Sequence, residues 1–302
     1  MQASFLTTAF LPILVMLGML GLGMSLTVTD FKNIFVRPKA VVVGLLNQLL
    51  LVPLTGLLLA LLLPLSPELA VGLIIIAAAP GGVSSNITTF LLEGDSALSI
   101  SLTTLSNLSA FITLPLWTGL GLYLFMDTAR AVSLSLVQIA IQIVVLTIIP
   151  IGFGLWLRAK WPNLGPKLER PLRMGLALLI FLAIIGTLVS ESDHLLYYLA
   201  QAGEATVMLC LITILLGFMS ARLFKCDLRT RITIANEAGI QNVPLALTIT
   251  TTILTNPLIA ITPAAYGLVQ ICLLSMVLGL AFGPWSDRLL PEPPGITAPS
   301  GR

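Results

Sequence analysis

The chain has 302 residues, of which 57% are hydrophobic and 9% charged, with a mean hydropathy of +1.04. A soluble domain carries roughly 25% charged residues, so 15 basic and 13 acidic side chains are too few to cover a water-soluble globule of this length. Low polarity likewise excludes a disordered chain, three cysteines exclude a disulfide scaffold, and a net charge of +2 gives no basic field for nucleic acid. What remains is an all-α polytopic protein of the lipid bilayer.

Taken in chain order, the apolar segments are residues 5–29, 40–63, 69–92, 96–126, 133–157, 172–190, 200–220, 229–254 and 259–285. Each approaches or exceeds the roughly 20 residues that cross a bilayer as a helix, which predicts nine transmembrane helices. No Lys or Arg precedes the first stretch, so a cleaved signal peptide is not expected. The tail from Pro291 to Arg302 is rich in Pro and Gly and is expected to be disordered. Cys210 and Cys272 lie in apolar segments, and with Cys226 they read as small core residues; no metal spacing links them.

Basic residues set the orientation. Lys32, Arg37 and Lys39 follow the first segment. Arg158, Lys160, Lys167, Arg170 and Arg173 follow the fifth, and Arg222, Lys225, Arg229 and Arg231 the seventh. Arg288 and Arg302 follow the ninth. An outside N-terminus puts all of these in the cytoplasm and Arg130 alone outside, which is the positive-inside pattern of a cell-membrane protein with a cytoplasmic C-terminus.

Two segments carry helix breakers at membrane depth. The third contains Ala79-Pro80-Gly81-Gly82-Val83-Ser84-Ser85-Asn86, and the eighth contains Asn236-Glu237-Ala238-Gly239-Ile240-Gln241-Asn242-Val243-Pro244. Proline removes a backbone donor and glycine permits non-helical angles. Unwound backbone survives in a bilayer only where protein or water satisfies it. The third segment runs inward and the eighth outward, about 155 residues apart, and each is followed by one long apolar segment. That is the sequence mark of an inverted repeat with a binding site at the breaks.

Glu237 is the one carboxylate placed well inside a segment. Asp30, Glu93, Asp95, Asp127, Glu191, Asp193 and the other acids fall in connectors, in the tail or near segment ends. An ionised carboxylate at depth requires a cation or a proton, and no Lys or Arg lies at comparable depth. Oxygen donors can converge on it. Ser85 and Asn86 sit at the first break, and Ser99 and Thr103 share one helical face. Gln48 lies within the second segment and Gln241 beside Glu237. Such donors, with freed carbonyls, suit a hard monovalent cation; soft metals prefer imidazole or thiolate, and the single His194 sits in a connector.

From Gly21-Leu22-Gly23-Met24-Ser25-Leu26-Thr27 through Glu237-Ala238-Gly239-Ile240-Gln241-Asn242, the chain resembles the bile acid:sodium symporter family. Pro80-Gly81-Gly82-Val83-Ser84-Ser85-Asn86 follows that family's P-G-G-x-x-S-N pattern, and the E-x-G-x-Q-N stretch at Glu237 is its more specific counterpart. The resemblance implies a core domain with two crossed broken helices and a flatter panel domain. Panel would be residues 1–38 and 128–198, core 39–127 and 199–288, with a cytoplasmic tail over 289–302. It implies two sodium ions, one at Ser85, Asn86, Ser99, Thr103 and Glu237. The other would lie at Gln48, Glu237 and Gln241 with the backbone of Ala238 and Ile240. Asn242, Val83, Ser84 and Gln270 would touch substrate. Some members carry an extra N-terminal span, which is not expected here, and a His-Asn pair in the last span where this chain has Ile271 and Cys272. The anion is therefore open among bile-acid-like steroids, pantoate-like hydroxy acids and keto acids.

The expected function is sodium-coupled symport of a small organic anion by alternating access, with sodium as coupling ion, no other cofactor and no obligate protein partner. A proton-coupled carrier or sodium/proton exchanger with Glu237 titrating is the alternative. A channel is more remote, and an intramembrane enzyme would need a nucleophile with a base, or a metal site, that the segments lack.

Overall fold

The computed structural model describes residues 10–26, 36–126, 136–161 and 192–282. Their order is α1 (Leu11–Ser25), α2 (Pro38–Leu62), α3 (Pro67–Ala78), α4 (Val83–Leu91), α5 (Ser96–Phe125), α6 (Val137–Lys160), α7 (Ser192–Leu223), α8 (Leu228–Gly239), α9 (Val243–Ile253) and α10 (Pro257–Phe282). Among the described residues there is no strand, only an isolated antiparallel bridge. Helices α2, α5, α6, α7 and α10 are long and apolar enough to cross a membrane, and α1, α3 and α9 are shorter apolar helices. The chain is an integral membrane protein. Every expected apolar segment except the sixth coincides with a helix or a pair of half-helices. The sixth segment, Arg130 and the tail lie outside the described residues.

The exposure pattern is that of a bilayer solvent. Along α2, Val42, Leu46, Leu50, Leu54 and Leu58 form an exposed stripe at helical spacing, while Asn47, Gln48 and Thr55 are buried on the other side. In water such a stripe would drive association; in lipid it is the favoured face, and polar groups turn inward to find partners. Asn47 donates to the Val43 carbonyl and to Ser220 Oγ of α7, each at 2.8 Å, across the helix pair. Turns of π-helix interrupt α2 at Asn47–Leu51, α6 at Val144–Ile148 and α9 at Ile249–Ile253.

The packing has two parts. In one, α3 is buried along its whole length from Leu69 to Ala78, with α2, α5 and α10 around it, and α7, α8, α4 and α9 complete the cluster. In the other, α1 lies against α6 at backbone contact distance. A Cβ on Gly23 would meet the Ile151 carbonyl, and one on Gly154 would meet the Leu20 carbonyl. Arg158 Nη1 closes this pair by donating to the Met24 carbonyl at 3.3 Å. The α1–α6 pair touches the larger cluster mainly through α9 and α5, and also through α4.

Connectors expected on one side of the membrane do meet. Arg37, before α2, pairs with Asp95, before α5, at 2.6 Å. The Asp95 N–H donates to Thr233 Oγ1 of α8 at 2.8 Å. Asp95 and Asp227 each cap the helix that follows, accepting from Leu98 N and Thr230 N. The Thr230 N–H, and more weakly the charge of Arg37, hold the Asp227 carboxyl below its ordinary value. An exposed ion pair adds little stability; here it reports topology.

Two expectations change. His194 was read as part of a connector, but α7 begins at Ser192 and contains it, because residues 192–199 continue the helix with a polar turn beyond the apolar window. Cys210 and Cys226 are buried as expected, whereas Cys272 is exposed, on the same outer face of α10 as Met276.

Gly154→Ala should lower the detergent-solubilised unfolding midpoint, with an overpacking cost of about 1–3 kcal/mol. Gly152→Ala, whose Cβ meets nothing within 4 Å, should not lower it. Thermal unfolding of the two variants side by side checks this.

Candidate functional site

Both broken helices unwind for reasons local to the sequence. Proline disfavours the α region for the residue before it, and Ala79 ends α3 extended, with ψ 142° ahead of Pro80. Gly81 follows because a Cβ there would stand 2.7 Å from Glu237 Oε2. In the second helix only Ile240, Gln241 and Asn242 leave the helix, and Asn242 Oδ1 caps α9 by accepting from Leu245 N at 3.1 Å. Pro244 falls in the first turn of α9, where its missing N–H costs nothing. Both breaks are therefore shorter than the sequence suggests, with Val83–Asn86 and Asn236–Ala238 helical.

The two unwound stretches pair with each other. Gly81 and Gln241 face one another in an antiparallel bridge. Asn242 N donates to the Pro80 carbonyl at 2.9 Å and Gly82 N to the Ile240 carbonyl at 3.5 Å. The same shift along the chain that takes Gly81 to Gln241 takes the first residue of α4, Val83, to the first residue of α9, Val243.

A bridge this short has open edges, and side chains close them. Asn107 Nδ2 of α5 donates to the Gly81 carbonyl at 3.0 Å, and Gln270 Oε1 of α10 accepts from Gln241 N at 2.7 Å. Tyr266 OH donates to the Gly239 carbonyl at 2.9 Å, and Gln48 Nε2 to the Ala79 carbonyl at 3.0 Å. In hydrocarbon each unpaired backbone group costs several kcal/mol, so these contacts are what allows the breaks to exist.

Glu237, on the last turn of α8, is the only charged side chain among the buried described residues, at 4% exposure. Its Oε1 accepts from Ser99 Oγ at 2.5 Å and its Oε2 from Thr103 Oγ1 at 2.9 Å. Asn86 Oδ1 lies 2.8 Å from Ser99 Oγ and 3.3 Å from Thr103 Oγ1. Ser85 Oγ lies 3.3 Å from Thr103 Oγ1 and donates to the Gly82 carbonyl at 2.7 Å. The structure thus brings Ser85, Asn86, Ser99, Thr103 and Glu237 into one cluster. A hydroxyl carries one proton, so Ser99 and Thr103 cannot donate to Glu237 and Asn86 at the same time. With the Asn86 oxygen turned inward, oxygens outnumber protons.

A second cluster adjoins the first. Gln48 Nε2 donates to Gln241 Oε1 at 2.7 Å, and Gln241 Nε2 donates to the Ala238 carbonyl at 2.8 Å. Gln48 Oε1 is buried with no partner. Gln48, Ala238, Ile240 and Gln241 are therefore together, while the Glu237 carboxylate spends its hydrogen bonds on the first cluster. Asn242 Nδ2 is also buried without a partner, Val83 and Ser84 are half-buried on the first turn of α4, and Gln270 commits its oxygen to the bridge.

Sequence reading missed Asn107, Asn236 and Tyr266. Asn236 Nδ2 donates to the Ser85 carbonyl and to Thr89 Oγ1, each at 2.8 Å, fastening α8 to α4. Asn107 stands one turn beyond Thr103 on the same face, a signal that was available. Tyr266 shares one face of α10 with Thr262 and Gln270, at i, i+4 and i+8, a polar stripe along an apolar helix that was likewise available.

The profile of the Sodium Bile acid symporter family matches residues 12–198. The chain belongs to this family. It is 30% identical, over 87% of its length, to a probable chloroplastic sodium/metabolite cotransporter, BASS1 of Arabidopsis thaliana, of which it covers 64%. It is 32% identical over 81% of its length to the sodium-dependent transporter YocS of Bacillus subtilis, of which it covers 74%. With the ileal sodium/bile acid cotransporter of Mus musculus it shares 31% identity over 79% of its length, covering 68% of that protein. The family is one of transporters, not enzymes.

Asn107→Ala strands the Gly81 carbonyl, whereas Tyr266→Phe leaves the Gly239 carbonyl with the weaker Cys210 Sγ donor at 3.8 Å. The first should cost about 1–3 kcal/mol, the penalty of a buried unpaired acceptor, and the second less, each read as a lowered unfolding midpoint in detergent.

Proposed function

We propose that this chain is a sodium-coupled symporter of an organic anion that works by alternating access. The observation that carries the reading is the oxygen cluster on Glu237: a buried carboxylate, an amide oxygen and hydroxyls, short of protons, with no cationic side chain buried among the described residues. Such a set suits a hard monovalent cation. The flipped Asn86 amide would instead donate to both hydroxyls and satisfy the cluster without an ion. Sodium at Ser85, Asn86, Ser99, Thr103 and Glu237 favours the first orientation and draws α4, α5 and α8 together. A second sodium at Gln48, Glu237, Gln241 and the carbonyls of Ala238 and Ile240 gives the unpartnered Gln48 oxygen its ligand.

The anion sits where α4 and α9 begin, against Val83, Ser84, Asn242 and Gln270. Helix N-termini bring partial positive charge and free N–H groups to a carboxylate without a buried arginine. The unpartnered Asn242 amide supplies a donor there. The matched spacing of the two broken helices supports an inverted repeat of nine spans with the N-terminus outside. The larger cluster is the core and the α1–α6 pair part of the panel. Sodium drives transport because it binds better to the state that accepts the anion. The names of the relatives cover bile acids and unspecified metabolites, so the cargo ranges from bile-acid-like steroids to small carboxylates such as pantoate.

A sodium-dependent thermal-shift screen of organic anions on purified protein, followed by uptake into proteoliposomes, tests this. Sodium-dependent uptake should vanish in Glu237→Gln. Gly81→Ala, by pushing on the carboxylate, should weaken sodium about tenfold, which corresponds to about 1.4 kcal/mol. Uptake driven by a pH gradient and indifferent to sodium overturns the reading in favour of a proton-coupled carrier.

A further inference from the structure

One face of α6 changes character along its length. Ile149, Phe153, Trp156 and Lys160 follow one another at helical spacing and all are exposed, Phe153 at 51% and Trp156 at 49%. The face therefore passes from aliphatic to aromatic to cationic within three turns, the order in which a membrane passes from acyl chains through the interface to headgroups. Phe153 and Trp156 stack at 5.5 Å. Trp161, 45% exposed just past the helix end, meets Trp156 edge-on at 5.9 Å.

Lys160 lies between the two indoles, its Nζ 5.0 Å from the Trp156 ring and 4.8 Å from that of Trp161. A lysine stem normally wanders; two aromatic faces hold this one at a fixed depth. No carboxylate pairs with it among the described residues. Arg158, on the same turn, spends a guanidinium N–H on the Met24 carbonyl and so belongs to the α1 contact instead.

We propose that Lys160, Trp156 and Trp161 form a binding site for the phosphate headgroup of an anionic phospholipid. The charge without a counterion among the described residues, held between two indoles, is the specific part, and the exposed Ile149 and Phe153 beside it supply the surface for the lipid's chains. A free cytoplasmic phosphate would use the lysine but not that stripe, so the occupant is lipid. The site is independent of the ion cluster at Glu237 and holds the α1–α6 pair at one depth in the bilayer.

The chain has four tryptophans. Replacing Trp117 and Trp285 by Phe leaves Trp156 and Trp161 as reporters in the full-length protein. Their quenching is read in phosphatidylcholine vesicles containing brominated phosphatidylglycerol or, at equal mole fraction, brominated phosphatidylcholine. The expected result is about fivefold enrichment of the anionic lipid, the effect of roughly one interfacial lysine, falling as salt is raised. Lys160→Gln abolishes the enrichment and Lys160→Arg keeps it. Lys39→Gln, an exposed lysine at the start of α2, leaves it unchanged. Equal quenching by the two brominated lipids overturns the proposal. So does enrichment that survives Lys160→Gln, or that Lys39→Gln removes equally.

Discussion

Backbone polar groups at membrane depth must be paired, and the antiparallel bridge between Gly81 and Gln241 is how this fold meets that constraint while keeping two helices broken. Each break supplies the other's partner. Without the other break, the Pro80 and Ile240 carbonyls and the Gly82 and Asn242 N–H groups would lose the partners they have across the bridge. The bridge in turn decides what lies beside it. It brings the last turn of α8, with Glu237, against the first turn of α4 and the face of α5 that carries Ser99 and Thr103.

Three of the four side chains closing the bridge come from the long helices that follow each break, and the fourth, Gln48, comes from α2. Asn107 of α5 caps the Gly81 carbonyl, while Gln270 and Tyr266 of α10 take the Gln241 N–H and the Gly239 carbonyl. Asn107 also stands one turn from Thr103 and binds its carbonyl at 2.8 Å. The residues that stabilise the crossing and those that build the oxygen cluster are thus neighbours on the same helix. A change in one is transmitted to the other through packed backbone rather than through a flexible loop, so variants of this region should alter stability and the geometry of the oxygen cluster together.

The surroundings serve the same end. Outward faces are aliphatic because lipid is the solvent there, so polar side chains inside find their partners in one another and in backbone carbonyls. Close contacts made by Gly23 and Gly154 keep α1 and α6 together as a pair, and that pair meets the rest of the described structure mainly through α9 and α5, and also through α4. A pair packed without side-chain cushions resists internal shear, which suits a unit against which a larger body can move.

Composition alone determined that the protein spans a membrane, since scarcity of charge leaves no other solvent. Segment lengths and breakers located the described helices and both interruptions, and the isolation of Glu237 among apolar residues marked it as the centre of a candidate site. Those features are local or compositional, so they are legible along the chain. Tertiary structure decided how short each break is, that the two pair as a bridge, and that Asn107, Asn236 and Tyr266 hold it. It also decided that Gln270 spends its oxygen on backbone. These depend on which groups meet across the crossing, and a buried polar atom's partner is chosen by proximity in space, which spacing in sequence does not encode.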